Sequence, residues 1–332
     1  MNLSRLRSRL CAATSLLGLT LAGYCADTKV EPMPLEGQTF VHDPSTVVKE
    51  DGTYYVFSTG RGVLSKSSRD LVHWTNGLSV FGQMPGWSLS AVPGFRGCWA
   101  PDVIRLNGQF YLYYAVSTFG KQVSAIGLAT NPTLDSSSTN YHWTDRGPVI
   151  QSTNGSAFNT IDPSVMSDTD GKLWMAFGSF WKGIYLIQLD PKTGLRADTH
   201  SAPQRLAWNS KIEAACLTRH DEFYYLFVNW GQCCRGTNST YEVHVGRAKN
   251  ITGPYLDRDG KDLVDEGGTL FLETTGRFIG PGHIGILTDG GTNWFSYHYY
   301  DADTYGRSRL ALGQIHWSDD GWPEVQKIVQ AK

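Results

Sequence analysis

The sequence predicts an all-β protein that folds as a five-bladed β-propeller. The first observation is the segment HDPSTVVKEDGTYYVFSTG at 42–60, where an Asp-Gly pair separates two apolar runs, as in a β-hairpin. The second is that similar hairpins recur at 99–117, 161–179, 212–230 and 282–300. The third is their spacing of about 60 residues, which suits a blade of four short strands. Five such units span nearly the whole chain, so we expect residues 27–332 to form one domain.

Residues 1–26 predict a secretory signal peptide, because three arginines precede an apolar run that ends among small residues. The run CAATSLLGLTLAG is too short to span a membrane, and no later segment reaches the required length. Cys25 leaves a bacterial lipoprotein as an alternative, although Tyr24 departs from the small residues expected before a lipidated cysteine. We therefore expect a secreted or periplasmic protein.

After each hairpin, further short segments complete the blade. A tryptophan recurs in these outer segments at Trp74, Trp143 and Trp317, and we expect it to fill the space between neighbouring blades. Loops rich in Gly, Ser and Pro at 82–97, 131–140, 192–203 and 253–268 join the strands.

The charge balance argues against a nucleic-acid partner. The chain has 29 Lys and Arg against 31 Asp and Glu, a net charge of −2, and no basic block. We expect a monomer that binds neither nucleic acid nor membrane.

Four cysteines remain after the predicted leader: Cys98, Cys216, Cys233 and Cys234. They lack the paired short spacings of a zinc site. A bridge between Cys98 and Cys216, a vicinal bridge between Cys233 and Cys234, and free thiols all remain open.

The head of each hairpin carries an ionisable side chain, in chain order Asp43, Asp102, Asp162, Glu213 and His283. The first strand of a propeller blade lies beside the central axis, so we expect all five heads at one end of the channel. Paired carboxylates there suit glycoside hydrolysis, in which a protonated acid releases the leaving sugar and an ionised one activates water. A third carboxylate nearby raises the pKa of the acid by repulsion. Asp43, Asp162 and Glu213 form the natural trio.

Several separate motifs resemble glycoside hydrolase family 43, and most of all its endo-α-1,5-L-arabinanases. The motifs are HDPS at 42–45, WAPD at 99–102, NTIDPS at 159–164, IEA at 212–214, CCRGTNSTY at 233–241 and GPGH at 280–283. They follow the family's order and occur in all five predicted blades. The resemblance implies an enzyme that cleaves internal α-1,5 links of arabinan, a side chain of pectin, with inversion of configuration.

The resemblance also implies roles for individual residues. Asp43 matches the general base, Glu213 the general acid, and Asp162 the residue that tunes the pKa of that acid and orients it. His283 matches a histidine near a metal ion, usually calcium, at the propeller axis. The positions that match the substrate groove are Trp99, Asp102, Phe119, Asn159, Ser179 and Trp181. One departure is the pair Ala214-Ala215 after the acid, where many arabinanases have Gly-Pro.

Other functions remain open at this point. An exo-arabinanase, an arabinofuranosidase or a β-xylosidase would use the same scaffold, and loop lengths do not reveal whether the groove is open at both ends. A non-catalytic propeller lectin would also account for the 12% aromatic content. A lectin would not need three acids at blade heads with a glutamate in one blade only.

Overall fold

A computed structural model describes residues 31–326, so the predicted signal peptide lies outside the described residues. The five sheets form a five-bladed β-propeller, which confirms the predicted fold. Blade 1 holds β1 (Glu36–Gly37), β2 (Val48–Glu50), β3 (Thr53–Ser58), β4 (Leu64–Ser68) and β5 (His73–Asn76). Blade 2 holds β6 (Cys98–Leu106), β7 (Gln109–Val116), β8 (Ser124–Asn131) and β9 (Thr144–Ser152). Blade 3 holds β10 (Ser164–Ser167), β11 (Leu173–Phe177), β12 (Ile184–Leu189) and β13 (Gln204–Ala207).

The remaining two blades repeat the same order of four antiparallel strands. Blade 4 holds β14 (Ile212–His220), β15 (Phe223–Trp230), β16 (Glu242–Ala248) and β17 (Thr269–Leu272). Blade 5 holds β18 (Phe278–Asp289), β19 (Thr292–Asp301), β20 (Arg307–Trp317) and β21 (Pro323–Val325). One short helix, α1 (Gly86–Ala91), and 3-10 turns at Gly236–Asn238, Leu263–Asp265 and Ala302–Thr304 lie in the loops. No helix within residues 31–326 is long and apolar enough to cross a membrane.

The first described residues tie blade 1 to blade 5. Strand β1 pairs in parallel with β5 at the outer edge of blade 1. The Met33 amide donates to the Leu312 carbonyl at 3.1 Å, and the Leu310 amide donates to the Thr39 carbonyl at 2.7 Å. These bonds join the beginning of the described chain to β20, so the ring is closed by the backbone.

The predicted Asp-Gly hairpin forms in blade 1. Asp51 and Gly52 have φ values of 45° and 78°, and left-handed values at both turn positions are those of a type I′ turn. Asn107 and Gly108 have φ values of 51° and 74° in the equivalent turn of blade 2. The turn residues therefore set the register of these first hairpins.

The core consists of apolar clusters between neighbouring blades. Side chains alternate along each strand, so one face meets the preceding blade and the other meets the following blade. In β7, Phe110 and Leu112 pack toward blade 1, whereas Tyr111 and Tyr113 pack toward blade 3. The predicted inter-blade tryptophans Trp74, Trp143 and Trp317 all lie in or against such clusters.

The blade heads share a backbone conformation that corrects the predicted alignment. The residue in the left-handed region is Asp43 in blade 1 (φ 49°), Ala100 (44°), Asp162 (57°), Ala214 (53°) and His283 (58°). Non-glycine residues rarely adopt this region, so its recurrence once per blade defines equivalent positions. The prediction that Asp102 and Glu213 are equivalent to the other heads is wrong, because Asp102 comes two residues later and Glu213 one residue earlier. Matching residues by acidity alone does not detect this offset.

Candidate active site

A cavity of about 990 Å³ lies at one end of the propeller axis and is lined by residues from all five blades. Blades 1 and 2 contribute His42, Asp43, Thr59, Trp99, Ser117, Thr118, Phe119, Gly120 and Lys121. Blade 3 contributes Asn159, Ile161, Asp162, Ser179, Phe180 and Trp181. Blades 4 and 5 contribute Glu213, Gln232, Cys233, Cys234, Arg235, Gly236, Tyr241, His283, Tyr300, Gly306 and Ser308. The convergence of the three predicted catalytic acids, Asp43, Asp162 and Glu213, follows from the closed ring.

The Asp43 carboxylate is held by a hydroxyl and surrounded by imidazoles. Thr59 donates to its Oδ2 at 2.7 Å, and Nδ1 of His42 lies 2.8 Å from the same oxygen. The Nδ1 atoms of His283 and His298 lie 3.7 Å and 3.6 Å from Oδ1. The backbone amide of Asp43 donates to Nδ1 of His298 at 3.1 Å, which fixes the left-handed turn. The carboxylate therefore has a set orientation.

These neighbours keep Asp43 ionised. Burial by itself raises the pKa of Asp43, but His42 outweighs it, with His283 and His298 adding to the effect, so the pKa lies far below its usual range. Burial also tends to lower the pKa of His42, yet Asp43 and Cys234 raise it well above its ordinary value. A carboxylate that is always charged at neutral pH suits a general base.

Glu213 lies in a different environment. Its side chain is buried, its Oε2 accepts from Ser179 Oγ at 2.7 Å, and its Oε1 accepts from the Tyr241 hydroxyl. Burial raises the pKa of Glu213, the two hydroxyl donors oppose this, and the negative charge of Asp43 adds to the increase. A carboxyl that keeps its proton to higher pH suits a general acid.

Asp162 connects to the acid through the backbone. Its Oδ2 accepts from the amide of Ala214, the residue after Glu213, at 3.0 Å. Burial raises the pKa of Asp162 well above its ordinary value, and the charge of Glu213 raises it further. Because charge repulsion is mutual, an ionised Asp162 also raises the pKa of Glu213. Asp162 therefore positions the acid through the backbone of Ala214, and its charge, when present, raises the pKa of that acid.

The family model for glycosyl hydrolases family 43 matches residues 37–323, nearly all of the described chain. The chain belongs to glycoside hydrolase family 43. It is therefore a glycoside hydrolase, which confirms the predicted enzyme class over the lectin alternative.

Individual relatives carry arabinan-directed names. The chain is 40% identical over 304 residues to the extracellular exo-α-(1→5)-L-arabinofuranosidase of Cellvibrio japonicus, and the match covers 87% of each chain. It is 40% identical over 289 residues to the extracellular endo-α-(1→5)-L-arabinanase 1 of Bacillus subtilis, covering 85% of this chain and 87% of that one. A solved structure of Cellvibrio cellulosa α-L-arabinanase complexed with arabinohexaose has a TM-score of 0.82 and 39% identity, covering 87% of this chain and 96% of that one.

Five of the six predicted substrate-binding residues line the cavity: Trp99, Phe119, Asn159, Ser179 and Trp181. Two of them present exposed aromatic rings, since Phe119 is 78% exposed and Trp181 is 40% exposed. Ser179 binds Glu213, and Asn159 is buried with its Oδ1 accepting from Ser124 at 2.6 Å. Rigid polar residues and exposed rings together suit recognition of a sugar chain.

The sixth residue, Asp102, lies outside the cavity, so its predicted contact with substrate is wrong. Its buried carboxylate accepts from the amide of Thr46 at 3.3 Å and from the amide of Val165 at 2.8 Å. Thr46 and Val165 each come three residues after a catalytic-trio acid, in blades 1 and 3. Burial raises the pKa of Asp102 to about 6, against the opposing effect of these amides. Asp102 therefore holds together the strand starts that carry Asp43 and Asp162.

The imidazole of His283 can contribute one ligand to a cation. Its amide donates to Asn229 Oδ1 at 2.8 Å, and burial lowers the pKa of its ring, leaving a neutral imidazole that can act as a ligand. Calcium prefers six to eight oxygen ligands. Among the described residues, the groups of three clustered ligand side chains are His42 with Cys233 and Cys234, and His42 with Asp43 and His298. Neither group contains His283, so no cluster of three His, Cys, Asp or Glu ligands surrounds it in the described part of the chain.

Sequence reasoning missed several site residues. His42 belongs to the HDPS motif and Tyr241 ends the CCRGTNSTY motif, so a motif-wide search would have found both. The Tyr300 hydroxyl lies 2.8 Å from His42 Nε2 and accepts from the Cys234 amide at 2.7 Å. It lies at the end of the fifth hairpin, where a tyrosine is usually a core residue.

The four described cysteines are free thiols. Cys98 and Cys216 are buried in different blades, whereas Cys233 and Cys234 lie at the edge of the cavity. A hydrogen bond from Cys233, together with His42, lowers the pKa of Cys234 to about 5 against the opposing effect of burial. The edge of the cavity next to Asp43 therefore carries a thiol with a lowered pKa.

Proposed function

We propose that this family 43 enzyme is a secreted endo-α-1,5-L-arabinanase that hydrolyses arabinan with inversion of configuration. The observation that carries the proposal is the opposite electrostatic environment of two carboxyl groups in one cavity: the pKa of Asp43 is held far below its usual range, whereas burial raises the pKa of Glu213. The names of the relatives supply the substrate class, and two of them are called extracellular.

In this proposal the two acids act on opposite sides of the scissile bond. Asp43 accepts a proton from a water molecule as that water attacks the anomeric carbon of the arabinofuranose ring. Glu213 gives its proton to the departing glycosidic oxygen, so the bond from carbon to that oxygen breaks as the bond to water forms. Asp162 holds the backbone of Ala214 and thereby the position of the acid.

Endo action is supported by the two exposed rings. Phe119 and Trp181 belong to different blades and both line the cavity, so they offer stacking surfaces beyond the catalytic trio. A chain bound along the cavity by several sugars can be cut internally. The second candidate is exo action on the same links, which is favoured by the name of the Cellvibrio japonicus relative.

Product sizes on linear arabinan separate the two. Endo action releases a ladder of oligosaccharides early and lowers viscosity before much reducing sugar appears. Release of one product size from the outset, with viscosity falling only in proportion to reducing sugar, would instead support exo action.

We also propose that a calcium ion on the axis contacts His283 and takes its other ligands mainly from water. Such an ion would reduce repulsion among the carboxylates of the cavity and stabilise the fold. The reaction steps above use only the protein's own residues.

A further inference from the structure

The interface between blades 1 and 2 departs from the packing rule of the other four. In blades 2 to 5, the third strand turns two aliphatic residues toward the following blade. These pairs are Ile126 and Leu128, Ile184 and Leu186, Val243 and Val245, and Leu310 and Leu312. In blade 1, Ser65 and Ser67 stand at the equivalent places, because they pair with Phe57 and Tyr55 of β3, which face blade 2.

The two serines line a cavity of about 650 Å³. Thr75 of β5 pairs with Ser67 and continues the row of hydroxyls, and Ser67 Oγ and Thr75 Oγ1 lie 3.3 Å apart. Two half-buried tyrosines, Tyr55 and Tyr141, also line this cavity. A face that packs with aliphatic side chains elsewhere in the ring is here only partly buried, rich in hydroxyls and flanked by aromatic rings.

This cavity is separate from the catalytic one. No residue lines both cavities among those described. Asp43 and Thr59 lie at one end of the blade 1 strands, in the catalytic cavity, whereas Asp51 and Asp70 lie at the other end of the strands, beside the hydroxyl-lined cavity. A ligand in the second cavity therefore leaves the catalytic groove free.

The charges around the hydroxyl-lined cavity favour a neutral ligand. Its acids outnumber Arg69 and His73, which disfavours an anion. Three of its four acids are also already occupied by protein donors, which disfavours a bare cation. Glu50 accepts from the Leu134 amide at 2.6 Å, Asp70 from the His73 amide at 2.8 Å, and Asp135 from the Ser137 amide at 2.9 Å. Ser65 donates to the Leu78 carbonyl at 2.7 Å, and the Ser67 and Thr75 hydroxyls contact each other at 3.3 Å, so these oxygens keep lone pairs that can accept from a ligand. Hydroxyl oxygens of this kind next to aromatic faces match a neutral sugar.

We propose that the cavity between blades 1 and 2 is a second carbohydrate-binding site that holds a segment of the neutral polysaccharide on which the enzyme acts. The identity of that polysaccharide as arabinan rests on the proposed function. Binding at two separate places on one chain of polymer raises the apparent affinity for polymer, without changing the affinity for a short oligosaccharide that reaches only one place.

The test replaces hydroxyl side chains of the cavity with the aliphatic side chains that the other blades carry at the equivalent positions. The double variant Ser65→Ile with Ser67→Leu copies the pair found in blade 2, and Ser67→Ala with Thr75→Val removes hydroxyls with little change in volume. Ser167→Ala, an exposed hydroxyl on a strand of blade 3, is the matched control. Each is combined with Glu213→Gln for native electrophoresis in gels containing linear arabinan, and each is made alone for kinetics. Melting temperatures identify a variant that does not fold. If the Ser65→Ile and Ser67→Leu variant does not fold, binding is judged from the Ser67→Ala and Thr75→Val variant.

We expect both pairs to weaken retention in the arabinan gel by about tenfold or more, while the control matches the parent. The kcat/KM on arabinotriose should stay unchanged in both pairs and fall on polymer. Equal retention of parent and cavity variants, with the parent still cleaving arabinan, would overturn the second site and leave the proposed function standing. If the parent failed to cleave arabinan but was retained through the cavity, the proposed function would fail and the second site would stand.

Discussion

Replacement of Asp162 by asparagine separates its two roles. Asparagine keeps an oxygen that can accept from the Ala214 amide, so the backbone contact observed at 3.0 Å is retained. The negative charge is lost. A like charge close to a buried carboxyl typically raises its pKa by about one unit or more. When Asp162 is ionised, this repulsion raises the pKa of Glu213, so removing the charge lowers that pKa.

The sign of the effect on the pH profile follows directly. Glu213 must be protonated to act, and a lower pKa means that it loses its proton at lower pH. We expect the basic limb of the kcat profile on linear arabinan to move down by about one pH unit or more in Asp162→Asn. Activity near pH 5 should recover toward that of the parent, whereas activity near pH 8 should not.

Asp162→Ala provides the control, because it removes both the charge and the acceptor. It should lose activity at all pH values, since the Ala214 amide then has no side-chain partner and the acid is no longer held. An unchanged basic limb in Asp162→Asn would refute the electrostatic role and leave Asp162 with positioning alone.

Three further predictions concern other parts of the site. Glu213→Gln should lower kcat on arabinan by about 10²–10⁴, and an aryl arabinoside with a good leaving group should retain most of its rate; equal losses on both substrates would contradict the role of general acid. Asp102 has a folded-state pKa of about 6, above its unfolded value, so its stabilising contribution is complete below about pH 4 and is lost as pH rises through 6. As pH rises from 4 to 7, the free energy of unfolding from urea denaturation should fall by up to about 3 kcal/mol more in the parent than in Asp102→Asn. The same change of unfolding free energy with pH in both proteins would contradict this. Exhaustive chelation should lower the melting temperature or the rate of arabinan cleavage, and added calcium should restore it. No change in either quantity would contradict the proposal of an ion near His283.

The fold could be predicted because its determinants are local and repeated. Asp-Gly turns between apolar runs specify hairpins, and their recurrence about every 60 residues specifies blades. The catalytic trio followed from the closed ring, which brings the blade heads Asp43 and Asp162 and the neighbouring Glu213 together. Motif resemblance then supplied the roles that spacing alone does not give.

The alignment of the heads could not be predicted in the same way. Which residue adopts the left-handed conformation depends on hydrogen bonds that cross between blades, such as the amide of Asp43 to His298. An acid type alone does not reveal this, so Asp102 was misplaced by two residues. Its real partners, Thr46 and Val165, belong to two other blades and are distant in sequence.

The hydroxyl-lined cavity could not be predicted from the sequence either. Ser65 and Ser67 look like ordinary exposed positions of an outer strand until the equivalent strands of the other blades are superposed on them. The contrast with Ile126 and Leu128 depends on knowing which face of each strand meets the next blade.

The stereochemistry of hydrolysis tests the roles of Asp43 and Glu213 most directly. Proton NMR of the first products from linear arabinan, recorded before the new reducing ends mutarotate, distinguishes the anomers. With Asp43 as base and Glu213 as acid on opposite sides of the bond, the β-anomer of the new reducing end should appear first. If the α-anomer appeared first, the product would have retained its configuration, and Asp43 would have to act as a nucleophile instead of a general base.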